Sequence, residues 1–176
     1  NTSMNSKRIL LSPPHMGGTE PTYVAQAFQD NWIAPAGPHI DLFENRLVDF
    51  LDENRQVVAL NSGTAAIHLG LQLLGVQKGD VVLCQSLTFI ASINPVLYLG
   101  ATPVFIGSEK ETWNLCPIAL EEAILYQLNK GIQPKAIVLV HLYGMPAKMN
   151  EISVISKKYN IPILEDAAEA LGSSYD

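Results

Sequence analysis

Two acidic side chains near the end of the sequence, Asp166 and Glu169, have the types and the spacing to hold a cationic group. They follow the apolar run IPILE, residues 161–165, which is typical of a buried strand. Residues three positions apart share one face of a helical turn, so the two carboxylates are expected to lie together. A carboxylate beside a protonated ring nitrogen raises the pKa of that nitrogen and keeps it charged. The alternative is that the acids only complement the dipole at a helix start.

A second candidate site is the segment NSGTAA, residues 61–66, which follows an apolar run and opens a helix. Gly63 allows a ligand to approach the backbone, and Thr64 can donate its hydroxyl. The free N–H groups and the positive dipole end of such a helix suit an anion, most naturally a phosphate. The segment matches neither GxxxxGK[ST] nor GxGxxG. The alternative is that Ser62 or Thr64 only caps the helix.

Two further residues stand directly after predicted strands. Phe89, in QSLTF, could stack on a planar ligand, or it could pack in the core. His141, in HLYGMP, could donate to a ligand or serve as a structural histidine. No second histidine, cysteine or carboxylate stands at metal-ligand spacing from His141, so the sequence predicts no metal site.

Together, these residues call for a planar ligand that carries a phosphate and a cationic ring. Pyridoxal 5′-phosphate (PLP) meets all three requirements. Its phosphate would lie on the helix after Ser62, its ring under Phe89, and its pyridine nitrogen on Asp166. An acidic partner keeps that pyridinium protonated, which lets it act as an electron sink.

These side chains need a scaffold that brings several strand ends together. The predicted strands are residues 57–60, 81–84, 102–106, 136–140 and 161–165. They are apolar on both faces, which is typical of a parallel sheet covered by helices on both sides. In such α/β sheets, ligands bind beyond the carboxyl ends of the strands.

Helices are predicted between and before these strands. They cover residues 21–30, 39–51, 64–75, 88–100, 117–129 and 147–160. Thr88 is expected to cap the fourth of these helices. Pro95 inside the same helix predicts a kink or a break, because proline lacks the backbone N–H that a helix interior requires.

The composition excludes several classes of function. The 176 residues are 48% hydrophobic and 16% charged, with a net charge of −6, a balance typical of a globular domain with a substantial core. No basic cluster predicts a nucleic-acid partner, and no apolar run reaches the length of a membrane span. Cys84 and Cys116 lack metal spacing and are expected to be reduced thiols in a cytoplasmic protein. Residues 1–8 are interpreted as a tag or a disordered start.

The chain resembles the DegT/DnrJ/EryC1/StrS family of PLP-dependent sugar aminotransferases, and within it the enzymes that make perosamine, bacillosamine and related 4-amino sugars. The blocks that carry the resemblance are NWIAPAG, NSGTAAIHLGLQLLGVQKGD, SLTFIASINPVLYLGATPVFI, TWNLCP, VHLYGMPAKM and ILEDAAEALGS. The resemblance implies the large domain of a fold type I aminotransferase. Residues 9–176 would be its N-terminal part, with the rest of that domain and a small domain outside the chain.

The resemblance also implies a role for each candidate residue. Gly63 and Thr64 would bind the cofactor phosphate, Phe89 would stack on the pyridine ring, and Asp166 would pair with the pyridine nitrogen. Glu169 matches a position that is His, Gln or Glu in the family, near the phenolic oxygen and the reacting carbons. It is the catalytic candidate. NWIAPAG lies where family dimers share an active site, so a homodimer is implied.

The implied reaction moves an amino group from L-glutamate to a nucleotide-linked 4-keto-6-deoxy sugar, for surface polysaccharide or glycan biosynthesis. None of the lysines in the chain matches the family setting of the Schiff-base lysine, so the chain by itself is expected to be inactive. Two alternatives stay open. One is a PLP-dependent sugar dehydratase of the same family, in which histidine replaces that lysine. The other is a non-catalytic fragment that binds a phosphorylated ligand.

Overall fold

The computed structural model describes residues 9–10, 13–51 and 55–175. The chain divides into two compact units, Asn1–Ala59 and Leu60–Asp176. Residues 1–8, which the sequence analysis interprets as a tag or a disordered start, lie outside the described residues.

The first unit contains two helices, α1 (Glu20–Gln29) and α2 (Pro38–Leu51), which confirms both helices predicted in this region. Pro21 lies in the first turn of α1, where its missing N–H costs nothing. The strand predicted at residues 57–60 is wrong, because these residues form no ladder. The amide of Ala59 instead donates to Glu44 Oε1 of α2 at 2.7 Å, and so it is not available to a neighbouring strand.

The second unit alternates helices and strands. In chain order it contains α3 (Gly63–Leu73), β1 (Val81–Gln85), α4 (Asn94–Tyr98), β2 (Thr102–Ile106), α5 (Pro117–Asn129), β3 (Ala136–Val140), α6 (Met149–Tyr159) and β4 (Ile163–Asp166). The four strands form one parallel sheet in the order β2-β1-β3-β4. In this register Cys84 of β1 lies opposite Phe105 of β2 and Val138 of β3. The predicted α/β fold with a parallel sheet is confirmed.

Helices cover both faces of the sheet. Strands β1 and β3 are buried along their whole length, as expected for central strands of a parallel sheet. Successive side chains alternate between two cores. Leu83 and Ile137 pack with α5 and α6 on one face, whereas Cys84 and Val138 pack with α3 and α4 on the other. The sheet therefore presents its carboxyl edge between two rigid layers.

Helix α3 packs against β4. A Cβ atom added at Gly70 would come within 2.9 Å of Leu164 Cδ1, so a larger residue here would require the Leu164 side chain to move. The close packing fixes the N-terminus of α3 relative to the strand that ends at Asp166.

The helix predicted at residues 88–100 is interrupted, which confirms the break expected at Pro95. A 3₁₀ turn at Ile90–Ser92 is followed by the short helix α4, whose first turn contains Pro95. Thr88 does not cap this segment, because its hydroxyl bonds to Ser92 Oγ at 2.8 Å. The interruption turns Phe89 and Ser92 toward the carboxyl edge of the sheet.

The structure is consistent with reduced thiols, since Cys84 and Cys116 are both free. Burial raises the pKa of the Cys84 thiol to about 12, which keeps it protonated and unreactive near neutral pH. None of the helices within the described ranges is long and apolar enough to cross a membrane.

Candidate active site

A cleft of about 560 Å³ opens at the carboxyl ends of the strands in the second unit. All five residues predicted from the sequence to bind a cofactor line it, namely Gly63, Thr64, Phe89, Asp166 and Glu169. The topology explains the positions of Phe89, Asp166 and Glu169, because a parallel sheet brings the ends of β1 and β4 to one edge. Gly63 and Thr64 reach the cleft from the N-terminus of α3, which follows no strand in the described residues.

Asp166 is the last residue of β4, and its carboxylate is held by two donors. Ser92 Oγ donates to Asp166 Oδ2 at 2.7 Å, and the amide of Ala168 donates to Oδ1 at 3.3 Å. Since Ser92 has one hydroxyl proton and gives it to Asp166, the hydroxyl of Thr88 is the donor in the 2.8 Å contact with Ser92. The chain Thr88–Ser92–Asp166 therefore fixes the orientation of the carboxylate in the cleft.

The N-terminus of α3 forms a second wall. Ser62 caps the helix, with its Oγ accepting from the amide of Ala65 at 3.2 Å, as the capping alternative predicted. The cap leaves the amides of Gly63 and Thr64 without a hydrogen-bond partner in the described part of the chain. A Cβ added at Gly63 would meet nothing within 4 Å, so the space above these amides is open. Two donors at a positive dipole end suit an anion.

Phe89 forms a third wall. Its side chain is 76% exposed, so the core-packing alternative is wrong. An exposed aromatic ring that lines a cleft can cover one face of a planar ligand.

Glu169 reaches the cleft by a different local structure from the one predicted. The segment after β4 is not a helical turn but two successive turns, closed by Ala170 N to Ala167 O at 3.0 Å and Ser173 N to Ala170 O at 2.9 Å. The carboxylate of Glu169 accepts from the amide of Tyr143 at 2.7 Å, a contact made across the cleft edge and not along a helix. Because residues 167–175 form no helix, Asp166 and Glu169 do not stand at the start of a helix in the described part of the chain.

The structure supports the second interpretation of His141, that of a structural histidine. It is 5% exposed, and both ring nitrogens are used within the protein. Nδ1 accepts from the amide of Ala147 at 3.1 Å, so Nε2 carries the proton and donates to Glu165 Oε2 at 2.9 Å. Among the residues that the structure describes, no group of acidic, histidine and cysteine side chains could hold a metal ion.

Two buried amide side chains support the cleft, and the sequence reasoning missed both. Gln85 Oε1 accepts from the amide of Val140 at 3.4 Å, and Gln85 Nε2 lies 3.4 Å from Asn114 Oδ1. Asn114 Oδ1 also accepts from Leu142 N at 2.9 Å, and its Nδ2 donates to Met145 O at 2.8 Å. Both side chains are fully buried. They tie the end of β1 to the turn that follows β3.

The sequence spacing indicates one of the two side-chain contacts of Ser92, the one with Thr88. Thr88 and Ser92 are four residues apart, the spacing at which side chains on a helical turn meet. Gln85 and Asn114 gave no comparable signal, because their partners lie about thirty positions away.

The groups that line the cleft fit a planar cofactor that is cationic at one end and anionic at the other. Asp166 offers a fixed carboxylate, Phe89 an exposed ring face, and α3 two unpaired amides. Fold and site together define an α/β domain of the class that binds a phosphorylated aromatic cofactor beyond its strand ends.

The chain belongs to the DegT/DnrJ/EryC1/StrS aminotransferase family, whose model matches residues 14–176. The members of this family are PLP-dependent enzymes. The expectation from the sequence motifs is thus confirmed at the level of the family.

Individual relatives agree with this assignment. The chain is 52% identical over 169 residues to EpsN of Bacillus subtilis (strain 168), provisionally named a pyridoxal phosphate-dependent aminotransferase, and covers 43% of that protein. It is 40% identical over 171 residues to the GDP-perosamine synthase of Escherichia coli O157:H7, covering 44% of it. These matches take in 96% of the present chain, which spans less than half the length of either relative.

A solved structure shows the same fold. The PLP form of Spr1654 of Streptococcus pneumoniae, provisionally named a sugar aminotransferase, superimposes with a TM-score of 0.84 at 30% identity. The match covers 96% of this chain and 45% of the other.

Proposed function

We propose that the whole protein is a PLP-dependent aminotransferase that moves an amino group from L-glutamate to a nucleotide-linked 4-keto-6-deoxy sugar. The observation that carries this proposal is the Asp166 carboxylate, fixed by Ser92 and facing a cleft with an exposed aromatic wall. Membership of the aminotransferase family supports the reaction type.

The residues of this chain would divide the binding of PLP among them. The amides of Gly63 and Thr64, with the Thr64 hydroxyl, would bind the phosphate at the helix terminus. Phe89 would cover one face of the ring. Asp166 would hold the proton on the pyridine nitrogen, because a nearby carboxylate favours the charged form of the ring. When bound in this way, PLP supplies an electron sink to the reacting carbon.

The acceptor is proposed from the named relatives. Two GDP-perosamine synthases, from Escherichia coli and Caulobacter vibrioides, are 40% and 39% identical to the chain. Their names point to a GDP-linked sugar, and amination at C4 requires a keto group at that carbon. Glu169, which lines the cleft, is the residue proposed to exchange a proton during the transfer.

The test is a product assay on the whole protein with PLP, L-glutamate and a GDP-linked 4-keto-6-deoxy sugar. We expect one 2-oxoglutarate for each aminated sugar nucleotide, identified by its mass. Loss of water from the sugar without formation of 2-oxoglutarate would instead identify a dehydratase. An unchanged sugar nucleotide, with PLP bound, would contradict both activities for this acceptor.

The protein is also proposed to act as a homodimer. Helices α1 and α2 of the first unit bury none of their residues, although both carry apolar side chains such as Phe28 and Phe50. The resemblance of NWIAPAG to a segment shared between family protomers supports a second copy as the partner. Light scattering on the purified whole protein should give twice the mass of its full-length polypeptide, and a monomer at micromolar concentration would contradict the proposal.

A further inference from the structure

The turn after β3 and the turn after β4 are locked together at the edge of the cleft. The amide of Tyr143 donates to Glu169 Oε2 at 2.7 Å, and Ser173 Oγ donates to the carbonyl of Gly144 at 2.7 Å. A Cβ added at Gly144 would lie 2.8 Å from the carbonyl oxygen of Glu169, so the two backbones are in direct contact. We call Tyr143, Gly144, Glu169 and Ser173 the turn lock.

The backbone of the turn lock has an unusual conformation. Tyr143 has a φ of 54° and Gly144 a φ of 80°, so two successive residues are left-handed. This conformation is rare for a bulky residue and persists only where surrounding contacts require it. Here it directs the amide of Tyr143 at the carboxylate of Glu169.

This contact assigns different roles to the two oxygens of Glu169. A backbone amide can only donate, so Oε2 must act as an acceptor whether the carboxyl group is ionised or protonated. The unprotonated oxygen of a carboxyl group is the better acceptor, so this contact favours Oε1 over Oε2 as the position of any proton on Glu169. Among the described residues, Oε1 has no hydrogen-bond partner, and Glu169 lines the cleft.

We propose that the turn lock positions Glu169 so that Oε1 is the atom that exchanges a proton with the bound ligand. Tyr143, Gly144 and Ser173 are then positioning residues that act through Glu169. The role of Glu169 in proton exchange rests on the proposed function, whereas the lock itself can be measured without it.

The first test measures the lock in the protein without cofactor. Hydrogen exchange of a peptide that contains Tyr143 is compared between the whole wild-type protein, Glu169→Ala and Glu169→Gln. We expect exchange about ten-fold faster in Glu169→Ala, as for the loss of one charge-assisted hydrogen bond. Glu169→Gln should retain slow exchange, because its carboxamide oxygen can still accept. Equal rates in wild type and Glu169→Ala would overturn the lock.

The second test separates position from stability. Gly144→Ala places a methyl group against Glu169, whereas Gly79→Ala imposes the same left-handed strain, at a φ of 92°, with nothing within 4 Å. We expect Gly144→Ala to lower kcat by about ten- to a hundred-fold, the size expected for a small displacement of a catalytic group, with less than a two-fold change in the Kd of PLP. Gly79→Ala should leave kcat unchanged.

A milder pair of variants checks the same lock. Ser173→Ala removes the hydroxyl that holds Gly144, and Ser173→Thr retains it, so kcat should fall several-fold in the first and recover in the second. Equal kcat values for Gly144→Ala and Gly79→Ala would contradict the positioning role. So would full activity with an unchanged pH profile in Glu169→Gln. If wild type transfers no amino group, the proposed function fails, and hydrogen exchange alone decides whether the lock exists.

Discussion

Asp166 accepts two hydrogen bonds that fix the orientation of its carboxylate in the cleft. Ser92 supplies the shorter one, at 2.7 Å, and is itself 1% exposed. Thr88 holds the Ser92 hydroxyl in turn. A buried serine in this position therefore orients the Asp166 carboxylate that lines the cleft.

Ser92→Ala should weaken PLP binding without unfolding the protein. Hydrogen bonds to charged groups contribute about 1.5–3 kcal/mol, so we expect the Kd of PLP to rise about ten-fold when Asp166 loses this donor. Ser92→Thr, which keeps the hydroxyl, is the matched control. Fluorescence titration of PLP measures both variants, and an unchanged Kd in Ser92→Ala would show that Asp166 does not need the serine.

Sequence reasoning succeeded at this scale where a residue stands directly after a strand. Phe89 and Asp166 could be placed because the carboxyl edge of a parallel sheet collects the residues at its strand ends. Gly63 was placed at the start of α3, although the strand predicted before it does not form. The pairing of Ser92 with Asp166 was missed because the two residues lie 74 positions apart, and a pairing over that distance depends on the folded sheet. Glu169 was predicted to line the cleft with Asp166, but the turn that brings it there depends on Tyr143, which belongs to another loop.

Loops at the carboxyl edge are held by side chains and not by further strands. The buried amides of Gln85 and Asn114 connect β1, the loop after β2 and the turn after β3. The wrong strand at residues 57–60 illustrates the same dependence. A short apolar run becomes a strand only where a neighbour supplies a ladder, and Glu44 of α2 takes the amide of Ala59 instead.

Asn114→Ala should destabilise the protein strongly. It would leave the amide of Leu142 and the carbonyl of Met145 without their partner, which we expect to cost about 3 kcal/mol in the free energy of unfolding. Gln133→Ala is the matched control, because Gln133 also donates to a backbone carbonyl but does so in an exposed setting. The control should change stability by less than about 0.5 kcal/mol in urea unfolding. Equal effects would contradict the role of the buried network.

The loop after β2 should confer a dependence of stability on pH. The pKa of the Glu109 carboxyl group is lowered from 4.5 to about 2, although burial tends to raise it. The carboxylate accepts hydrogen bonds from the Thr112 hydroxyl and from the amides of Glu111 and Thr112. The positive charge of Lys148 lowers the pKa further. A carboxyl group whose pKa is lower in the folded state stabilises the fold above its unfolded pKa. That contribution is lost as the pH falls toward the folded pKa.

The free energy of unfolding should therefore differ most between wild type and Glu109→Gln above about pH 4.5, and the difference should shrink toward pH 2. Urea unfolding at several pH values measures it. Thr112→Ala, which removes the hydroxyl donor and keeps the carboxylate, should show an intermediate dependence. A constant difference from pH 6 to pH 2.5 would mean that Glu109 makes no such contribution.

At the scale of the whole molecule, the second unit brings the candidate cofactor-binding residues together at one cleft. A helix terminus, an aromatic wall and a fixed carboxylate lie around one cleft at the edge of a parallel sheet. The fold class could be predicted from the sequence because strands that are apolar on both faces fit only a sheet covered on both sides. The ligand could be predicted because each wall of the cleft favours a different part of it.

The most direct test of this account is a crystal structure of the whole protein with PLP. We expect the phosphate on the amides of Gly63 and Thr64, the ring against Phe89, and the pyridine nitrogen within about 3 Å of the Asp166 carboxylate. A phosphate bound away from the N-terminus of α3, or a pyridine nitrogen that does not face Asp166, would contradict the central claim.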